Sequence, residues 1–389
     1  MVPAVPDTPL RAAMRRFLRD PGARLGIAGL LILLLPALYA PLLANGRPLW
    51  MSIGGTWSSP ALEFIFSPDS AERLTEQCFN FAAMLLPAWL LLRVLFRRRP
   101  RLRRILLAAA AIALALPFAA ARPRLDRTDY RTMLRETGGR ALFAPIACGP
   151  FETAAAAGAP PSREHPLGTD AAGRDVAARL IYGARVSLAV GIASTAIALL
   201  IGVAVGLAAG FRGGWFDLAV MRIVEVLMCF PTFLLLLILM SMAGDRQAGE
   251  SVPVVVGVLG LTGWIGLALL VRAETLRQKA LPYIAAGIGA GIPAWRIMFR
   301  HLLPNVSAPI LISFTFGVAG AILSESGLSF LGFGVQPPTA SWGELLRQAF
   351  ENPLDQPLLT VAPGAALFLA VLSINLTGEG LRKALDVKE

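Results

Sequence analysis

Cysteine, histidine and lysine are scarce in this sequence of 389 residues. The three cysteines and two histidines stand singly, with no CxxC pair and no cluster at metal-ligand spacing, so we predict no metal site. Of the three lysines, Lys279, Lys383 and Lys388, none follows a glycine-rich loop, and no GxxxxGK(S/T) motif occurs. We therefore predict that the chain is not an enzyme, has no catalytic residue or cofactor of its own, and leaves any ATP hydrolysis to another polypeptide.

Charged residues are also few. They make up 16% of the chain, hydrophobic residues make up 56%, and the mean hydropathy is +0.63. These values lie outside the range of ordinary soluble domains and indicate a protein that lives among membrane lipids. The net charge of +11 does not indicate a nucleic-acid partner, because the arginines stand in short blocks beside apolar runs, as cytoplasmic membrane flanks do.

Long apolar runs are abundant, and eight windows approach the roughly 20 residues that a helix needs to cross a hydrocarbon core about 30 Å thick. They cover residues 25–44, 79–96, 105–121, 186–209, 219–242, 252–271, 306–324 and 358–378. The windows predict an all-α fold, a polytopic membrane helix bundle. The first window follows five arginines, as the apolar region of a signal peptide follows its basic start. Its length and its prolines Pro36 and Pro41 nevertheless favour an uncleaved transmembrane span.

The basic blocks predict the orientation of the bundle. With the N-terminus in the cytoplasm, RRRPRLRR at 97–104 and the basic residues after the fourth and sixth windows all lie inside the cell. Arginines cannot lie within the lipid core, so windows 79–96 and 105–121 either both span or both do not. The predicted segments are a cytoplasmic tail (1–24), a first transmembrane helix (25–44), an outer loop (45–78), an inserted hairpin (79–121), a second outer loop (122–185), a five-helix core (186–378) with a cytoplasmic loop at 272–305, and a cytoplasmic tail (379–389).

Glycine spacing indicates how the helices pack. Gly202, Gly206 and Gly210 recur at every fourth position and give one helix a flat face that a neighbour can approach closely. A second series at closer spacing comprises Gly257, Gly260, Gly263 and Gly266. We interpret both series as bundle packing rather than as the lining of a pore.

One stretch interrupts the apolar pattern of the second half. PYIAAGIGAGIPAWRIMFRHLLPN, residues 282–305, is rich in glycine, basic at its end and without an acidic residue. It predicts a short helix, a turn at 291–293, and a second helix from Ala294 to Leu303 that ends near Pro304. Periodicity alone would make it a solvated loop.

The residues of this stretch resemble the coupling loop of ABC-importer permeases, whose pattern is Glu-Ala-Ala, three residues, Gly, nine residues, two further residues and Leu-Pro. Here Ala285 stands in place of the glutamate, while the other positions keep the spacing. We expect apolar contacts of Tyr283, Ile288, Trp295 and Ile297 to offset the missing carboxylate. The residues that the resemblance assigns to ATPase coupling are Tyr283, Ala285, Ala286, Gly287, Gly291, Trp295, Arg296, His301, Leu303 and Pro304.

Further blocks resemble the dipeptide and oligopeptide subfamily in the expected order. They are HPLGTDAAGRDVAARLIYGARVSL (165–188), GGWFDLAVMRIVEVLMCFP (213–231), ESGLSFLGFGVQPPTASWGELL (325–346) and NLTGEGLRKALD (375–386). ANGRPLW (44–50) and GGTWSSP (54–60) resemble the branch that imports microcin C-like peptides. Several co-linear blocks make a stronger signal than one short motif.

The resemblance implies one half of a type I importer in the bacterial inner membrane, with six core helices and both termini in the cytoplasm. It implies four kinds of partner: a homologous permease subunit, two ABC ATPase subunits that bind the ATP, a periplasmic substrate-binding protein and membrane lipid. ATP binding would close the ATPases, move the coupling loops and drive alternating access. The hairpin 79–121 departs from the family pattern, and the sequence assigns it no role.

Several single residues have both a functional and a structural interpretation. On the outer side, Asp170, Arg174, Asp175 and Trp342 form a gate or a binding-protein contact, or else are helix caps, a solvated face and an interfacial anchor. Glu225, Pro231 and Asn375 are candidates for the lining of the translocation path. Their structural alternatives are, in the same order, an ion pair with Arg222, an ordinary helix kink and an interhelical hydrogen bond. Cys78 and Cys148 fall on the same outer side, where a disulfide is conceivable and two unpaired thiols are simpler.

Two other classes of function stay open at this point. A secondary transporter driven by protons or sodium would need ionisable groups or broken helices at mid-span, whereas the acids here cluster at the ends of the windows. A non-transporting membrane scaffold gains some support from Ala285. The sequence does not determine which peptide, peptide-like compound, metal complex or glycan would be the substrate.

Overall fold

The computed structural model describes residues 9–66, 72–120, 128–153, 156–244, 251–351 and 356–385. The described residues are predominantly helical, which confirms the all-α prediction. Their helices are α1 Pro9–Arg19, α2 Pro21–Leu38, α3 Ala40–Leu43, α4 Pro60–Phe66, α5 Arg73–Leu95, α6 Pro100–Ala120, α7 Tyr130–Thr137, α8 Val176–Arg212, α9 Gly214–Met228, α10 Thr232–Met242, α11 Ser251–Thr262, α12 Trp264–Lys279, α13 Pro282–Gly289, α14 Ala294–Ile297, α15 Leu303–Phe330, α16 Trp342–Glu351 and α17 Pro357–Leu385.

Six stretches within the described ranges are long and apolar enough to cross a membrane. They are α2, α5, α8, α11 with α12, α14 with α15, and α17. The bent pair α9 and α10 would make a seventh if it is counted as one span. Several spans exceed the predicted windows, because their ends carry polar side chains that a hydropathy window excludes. Helix α8, for example, begins ten residues before the window at 186, inside the predicted outer loop.

Helix α8 is the longest element together with the α14–α15 stretch, and its 37 residues extend about 55 Å at 1.5 Å per residue. The glycine prediction for this helix is confirmed. A Cβ on Gly206 would lie 2.6 Å from the Ala268 carbonyl oxygen, and a Cβ on Gly210 would lie 2.8 Å from Thr275 Cβ. Helix α12 therefore approaches the glycine face of α8 closely enough to exclude any side chain there.

The second glycine series is confirmed only in part. A Cβ on Gly260 would lie 2.8 Å from Ile197 Cβ on α8. By contrast, an added Cβ on Gly257 or Gly266 would have nothing within 4 Å. Spacing alone could not distinguish these positions, because it does not tell which side of a helix meets a neighbour.

The window 219–242 was predicted as one helix, and this was wrong. The chain breaks at residues 229–231 into α9 and α10, which meet at 85°. Pro231 lacks the N–H that would continue the helix and restricts Phe230 before it. It lies at the N-cap of α10, so it marks a sharp break between two helices and not an ordinary kink within one helix.

Helices α5 and α6 form the predicted hairpin, with a tip at residues 96–99. Phe118 near the end of α6 lies 5.9 Å from the Phe81 ring, and its carbonyl accepts a hydrogen bond from Gln77 Nε2 at 3.5 Å. Only 6% of the apolar window of α5 is buried, against 28–39% for the other five spans. Among the described residues, α5 is one of the six candidate spans and α6 is not. That windows 79–96 and 105–121 either both span or both do not therefore stays a prediction.

A small antiparallel sheet lies in the segment between α3 and α8. Strand β1 (Trp50–Ile53) pairs with β2 (Thr56–Ser58) on one side and with β3 (Arg140–Leu142) on the other. The Trp50 and Trp57 rings stack at 3.8 Å across the hairpin. The sequence did not predict this sheet, because strands of three or four residues are too short to show an alternating pattern.

The two ends of the described chain lie together at one end of the bundle. Asp20 caps α2 through Ala23 N at 2.8 Å, and Lys383 Nζ lies 3.4 Å from Asp20 Oδ1. The other end of α2 contacts the beginning of α8, where the Arg185 guanidinium donates to the Ala37 and Leu38 carbonyls. Helix α8 then runs back toward the end that holds α1, the end of α17 and the stretch 282–305.

Candidate coupling site and outer polar network

Residues 282–305 project from the bundle as a compact helix-turn-helix. Helix α13 ends in a turn in which Gly291 N donates to the Ile288 carbonyl at 3.0 Å and Ile292 N donates to the Gly287 carbonyl at 3.1 Å. Gly291 has a φ of +70°, a conformation that favours glycine because a Cβ would be strained. The predicted turn at 291–293 therefore lies where the sequence indicated.

The prediction of a second helix that stops near Pro304 was wrong. Helix α14 continues through a π-helical turn, Met298–Leu302, directly into α15, so Ala294–Phe330 is one long span. Pro304 occupies the first turn of α15, where a missing N–H costs little, and the wider π turn precedes it. The exposed tip and a membrane-crossing helix are thus mechanically continuous.

Apolar side chains fasten the projection to the bundle. Ile284 and Ile297 are each 1% exposed and pack in one cluster with Leu207 of α8 and Val271 of α12. Leu303 packs against the same cluster. The expectation that Ile297 would contact a partner was therefore wrong, because its side chain faces the core of its own chain.

Other apolar side chains point away from the bundle. Tyr283, Ile288, Trp295 and Phe299 are 42%, 47%, 59% and 61% exposed, respectively. Phe299 was missed by the sequence interpretation, although its position in the run between Trp295 and Leu303 could have indicated it. Ala285, Ala286, Gly291 and Pro304 are exposed beside them, and Gly287 is half-buried. The projection thus exposes four large apolar side chains, while other apolar side chains bury its base against the bundle.

A few polar contacts fix the sides of this surface. The Tyr283 hydroxyl donates to Gln278 Oε1 at 2.8 Å and accepts from Asn305 Nδ2 at 3.1 Å. Asn305 Nδ2 also donates to the His301 carbonyl at 2.7 Å, so the backbone of His301 takes part in a turn contact. The Arg296 guanidinium lies 5.4 Å from the centre of the Trp295 ring, within the range of a cation–π contact.

The outer-side candidates lie at the opposite end of α8. Asp175 caps this helix by accepting from Ala178 N at 2.7 Å and contacts His165 Nδ1 at 2.8 Å. Asp170 accepts from Arg174 Nε at 2.8 Å and from two backbone amides of its own turn. Both carboxylates are fully buried, so the capping interpretation is supported, and neither is a solvated or docking side chain.

Sequence reasoning missed the centre of this network. Arg179, wholly buried, donates through Nη2 to Glu344 Oε2 at 2.7 Å and lies 3.3 Å from Asp170 Oδ2. It also donates to the carbonyls of Pro150 and Pro338 at 3.2 and 3.3 Å. The signal was available, because an arginine inside an apolar helix is costly unless it has buried partners.

Trp342 lies in the hydrophobic core of the protein and not at an interface. It is 0% exposed, belongs to the main core cluster with Leu188 and Ile322, and donates through Nε1 to the Leu180 carbonyl at 3.3 Å. The interpretation as an interfacial anchor or docking residue was therefore wrong. Helix α16, which begins with it, folds back onto α17 and buries the ring in the process.

A second buried acid near the N-terminal part of α8 was also missed. Glu325 on α15 is fully buried and accepts from Ser187 Oγ at 3.1 Å and from Ser329 Oγ at 2.8 Å. Ser187 lies on α8 and also accepts from Trp342 N at 3.2 Å. The carboxylate therefore joins α8, α15 and the start of α16 through hydroxyl groups.

The candidates for a translocation path lie on or beside three different helices. Glu225 on α9 is exposed and lies 2.6 Å from Arg222 Nη1, which matches the local-pair interpretation. Pro231 lies at the break between α9 and α10, and Asn375 is half-buried on α17. Their roles in a path stay predictions. The three cysteines are free thiols, with Cys148 buried, so Cys78 and Cys148 do not pair.

Comparison with known proteins identifies the family. Residues 202–388 match the model described as the binding-protein-dependent transport system inner membrane component, and residues 8–50 match the N-terminal transmembrane domain of oligopeptide transport permease C. A glutathione transport system permease protein of Pectobacterium atrosepticum is 40% identical over 228 residues, covering 59% of this chain and 74% of the relative. The chain belongs to the binding-protein-dependent ABC transport permeases.

Other members of the family agree with this assignment. A dipeptide transport system permease protein of Bacillus subtilis is 40% identical over 230 residues, covering 59% of this chain and 70% of the relative. An oligopeptide transport system permease protein of Haemophilus influenzae is 38% identical over 225 residues, covering 58% and 71%. The predicted peptide-importer family and type I importer permease fold are confirmed, and the two matched ranges flank the α5–α6 hairpin.

Proposed function

We propose that this permease imports peptides or peptide-like solutes across the bacterial inner membrane by alternating access, driven by separate ATPase subunits. Family membership supports a peptide importer, since relatives carry the names of dipeptide, oligopeptide and glutathione permeases. The observation that carries the coupling mechanism is the apolar surface of Tyr283, Ile288, Trp295 and Phe299 on a projection whose base is buried.

The projection suits the transfer of force from a soluble partner to the membrane bundle. Its apolar tip offers the aromatic contacts that dominate protein interfaces. Its base reaches α8 and α12 through Ile284 and Ile297, and its second half continues into α15. A movement of the tip is therefore transmitted to three spans at once.

Ala285 sets this permease apart from the family pattern. It is exposed on α13 where the pattern has a glutamate. An exposed ion pair contributes about 0–1 kcal/mol, whereas burial of a large aromatic side chain contributes about 1.5–3 kcal/mol. Trp295 and Phe299 can offset the missing carboxylate, so ATPase binding at this site is mainly apolar.

The same proposal includes the other subunits of the transporter complex. A homologous permease subunit pairs with this chain in the membrane, two ATPases bind ATP on the side of the projection, and a periplasmic binding protein delivers the solute to the opposite side. Both termini then lie in the cytoplasm, because the described ends of the chain share an end of the bundle with the projection.

The variant Gly291→Pro tests the coupling site. Proline fixes φ near −65° and removes the N–H that bonds the Ile288 carbonyl, so the turn cannot form. We expect normal membrane insertion, loss of co-purification with the ATPases, and loss of substrate-stimulated ATP hydrolysis in liposomes. Gly289→Ala is the control, because a Cβ there meets nothing within 4 Å.

Three results would contradict the proposal. Normal transport by Gly291→Pro would show that the projection does not couple ATPases to the bundle. Transport by the chain without ATPases, under a proton gradient alone, would instead indicate a secondary transporter. Labelling of a cysteine introduced at residue 289 from the periplasmic side would contradict the orientation.

A further inference from the structure

The tip of the α5–α6 hairpin carries a dense patch of positive charge. Six arginines lie within eight residues: Arg97, Arg98, Arg99, Arg101, Arg103 and Arg104. Five of them are exposed and Arg103 is half-buried. Across the described ranges, no carboxylate lies within ion-pair distance of any of the six. Three exposed arginines elsewhere in the bundle, Arg222, Arg277 and Arg382, offer a contrast, since each pairs with a glutamate three residues away.

The patch lies where an apolar helix leaves the lipid. The first turns of α5 are fixed to the bundle through Asn80, which donates to the Ile65 carbonyl at 2.8 Å, and through the Ala83 carbonyl, which accepts from the Tyr39 hydroxyl at 3.3 Å. From there the helix projects with little cover. Its 23 residues are about 35 Å long, so the tip lies about one hydrocarbon thickness from the docked end, at the level of phospholipid headgroups.

The shape of the tip combines two chemistries. An open cleft of about 700 Å³ is lined by the apolar residues Val94, Leu95 and Phe96 together with Arg97, Arg98 and Arg99, which follow them in the chain. Leu90, Leu91, Val94 and Leu95 are all largely exposed along the adjacent helix surface. An apolar wall that continues into three guanidinium groups fits an amphipathic anion, because guanidinium binds phosphate oxygens in a bidentate manner and the wall covers hydrocarbon.

We propose that the hairpin tip binds the headgroup phosphate of anionic phospholipids, with Arg97, Arg98 and Arg99 on the phosphate and Val94, Leu95 and Phe96 against the acyl chains. Clusters of four to eight basic residues beside a transmembrane helix attract anionic lipid, and each arginine near such a surface strengthens binding about fivefold. This site assigns a function to the inserted hairpin, because lipid binding at its tip would anchor α5, of which little is buried, at the membrane surface. It requires only that the hairpin lies in a bilayer and does not depend on ATPase coupling.

Lipid titration of the purified full-length chain tests the proposal. Native mass spectrometry in detergent would follow binding of phosphatidylglycerol and, separately, of phosphatidylcholine. We expect phosphatidylglycerol to bind at least about tenfold more tightly than phosphatidylcholine, and the triple variant R97Q/R98Q/R99Q to lose that preference. The matched control is R222Q/R277Q/R382Q, which removes the same charge from arginines that already have partners and should stay within about twofold of the parent.

A charge-preserving variant guards against a folding artefact. R97K/R98K/R99K keeps the three positive charges but loses the bidentate guanidinium contacts, so it should bind phosphatidylglycerol more weakly than the parent and still keep a preference that R97Q/R98Q/R99Q lacks. Equal phosphatidylglycerol binding by R97Q/R98Q/R99Q and the parent would overturn the proposal. An equal loss in the matched control would also overturn it, since the effect would then be one of net charge. Displacement of the lipid by inorganic phosphate at the same concentration would assign the tip to soluble anions instead.

Discussion

The two ends of α8 differ in how the side chains around them find partners. At its N-terminal end, Arg179, Asp170 and Glu344 are buried and pair with one another within the chain. At the other end, the projection exposes Trp295 and Phe299, and the nearby Arg277 of α12, which pairs with Glu274, is itself exposed. The first end is complete in a single chain, whereas the second leaves apolar surface for a partner. The comparison separates residues that hold the fold from the residues that we propose contact other subunits.

The largest effect is expected from the buried pair. Arg179→Ala removes one partner and leaves the Glu344 and Asp170 carboxylates buried without it, which should lower the free energy of unfolding by about 3–5 kcal/mol. Arg222→Ala, in an exposed pair, should cost at most about 1 kcal/mol. Thermal denaturation of the detergent-solubilised chain measures both. Equal losses in the two variants would abolish the contrast between the ends.

At the projection, the effect should fall on partner binding and not on stability. Trp295→Ala should weaken ATPase binding by about 2–4 kcal/mol, as loss of a central aromatic contact does, with an unchanged melting temperature. Leu261→Ala serves as control, because Leu261 is 63% exposed on α11, away from the projection. Surface plasmon resonance with immobilised permease gives the affinity. A drop in melting temperature for Trp295→Ala alone would reassign this residue to folding.

Helix α12 packs closely against the glycine face of α8, and one added methyl group can disturb this packing. In Gly206→Ala the new Cβ would lie 2.6 Å from the Ala268 carbonyl oxygen, so we expect a loss of about 1–3 kcal/mol in the free energy of unfolding. Gly266→Ala has nothing within 4 Å and should be neutral or slightly stabilising. Denaturant titration of the pair decides whether the glycine face is needed.

The smallest effect concerns the pH dependence of stability near the N-terminal end of α8. Burial raises the pKa of Glu72, which precedes α5 and accepts from Thr339 Oγ1 at 3.4 Å. The folded state therefore holds a proton more tightly than the unfolded state does, so the contribution of Glu72 to stability is greatest below its ordinary pKa and declines as pH rises through the raised value. Hydrogen exchange over residues 72–83 should quicken at higher pH after correction for intrinsic rates. Glu72→Gln should remove that dependence, and exchange that is equally pH-dependent in both proteins would contradict this assignment.

Much of the arrangement was accessible from residue order, and the failures have a common cause. The turn at Gly291 and the glycine face of Gly206 depend on local geometry or on spacing along one helix, and both were predicted. The direction of Ile297, the burial of Trp342 and the pairing of Arg179 with Glu344 depend on contacts between residues far apart in the chain. Periodicity gives the faces of a helix but does not say which face meets a neighbour.

The sequence by itself determined that this is an all-α membrane permease of the peptide-importer family and where the projection at residues 282–305 turns, because hydropathy and motif spacing are properties of nearby residues. Only the tertiary structure decided that Asp170 and Asp175 are internal partners, that the segment 219–242 breaks at 85°, and that the projection continues into α15. Those outcomes follow from which surfaces are covered when helices pack, and covering a surface requires residues that lie far apart along the chain.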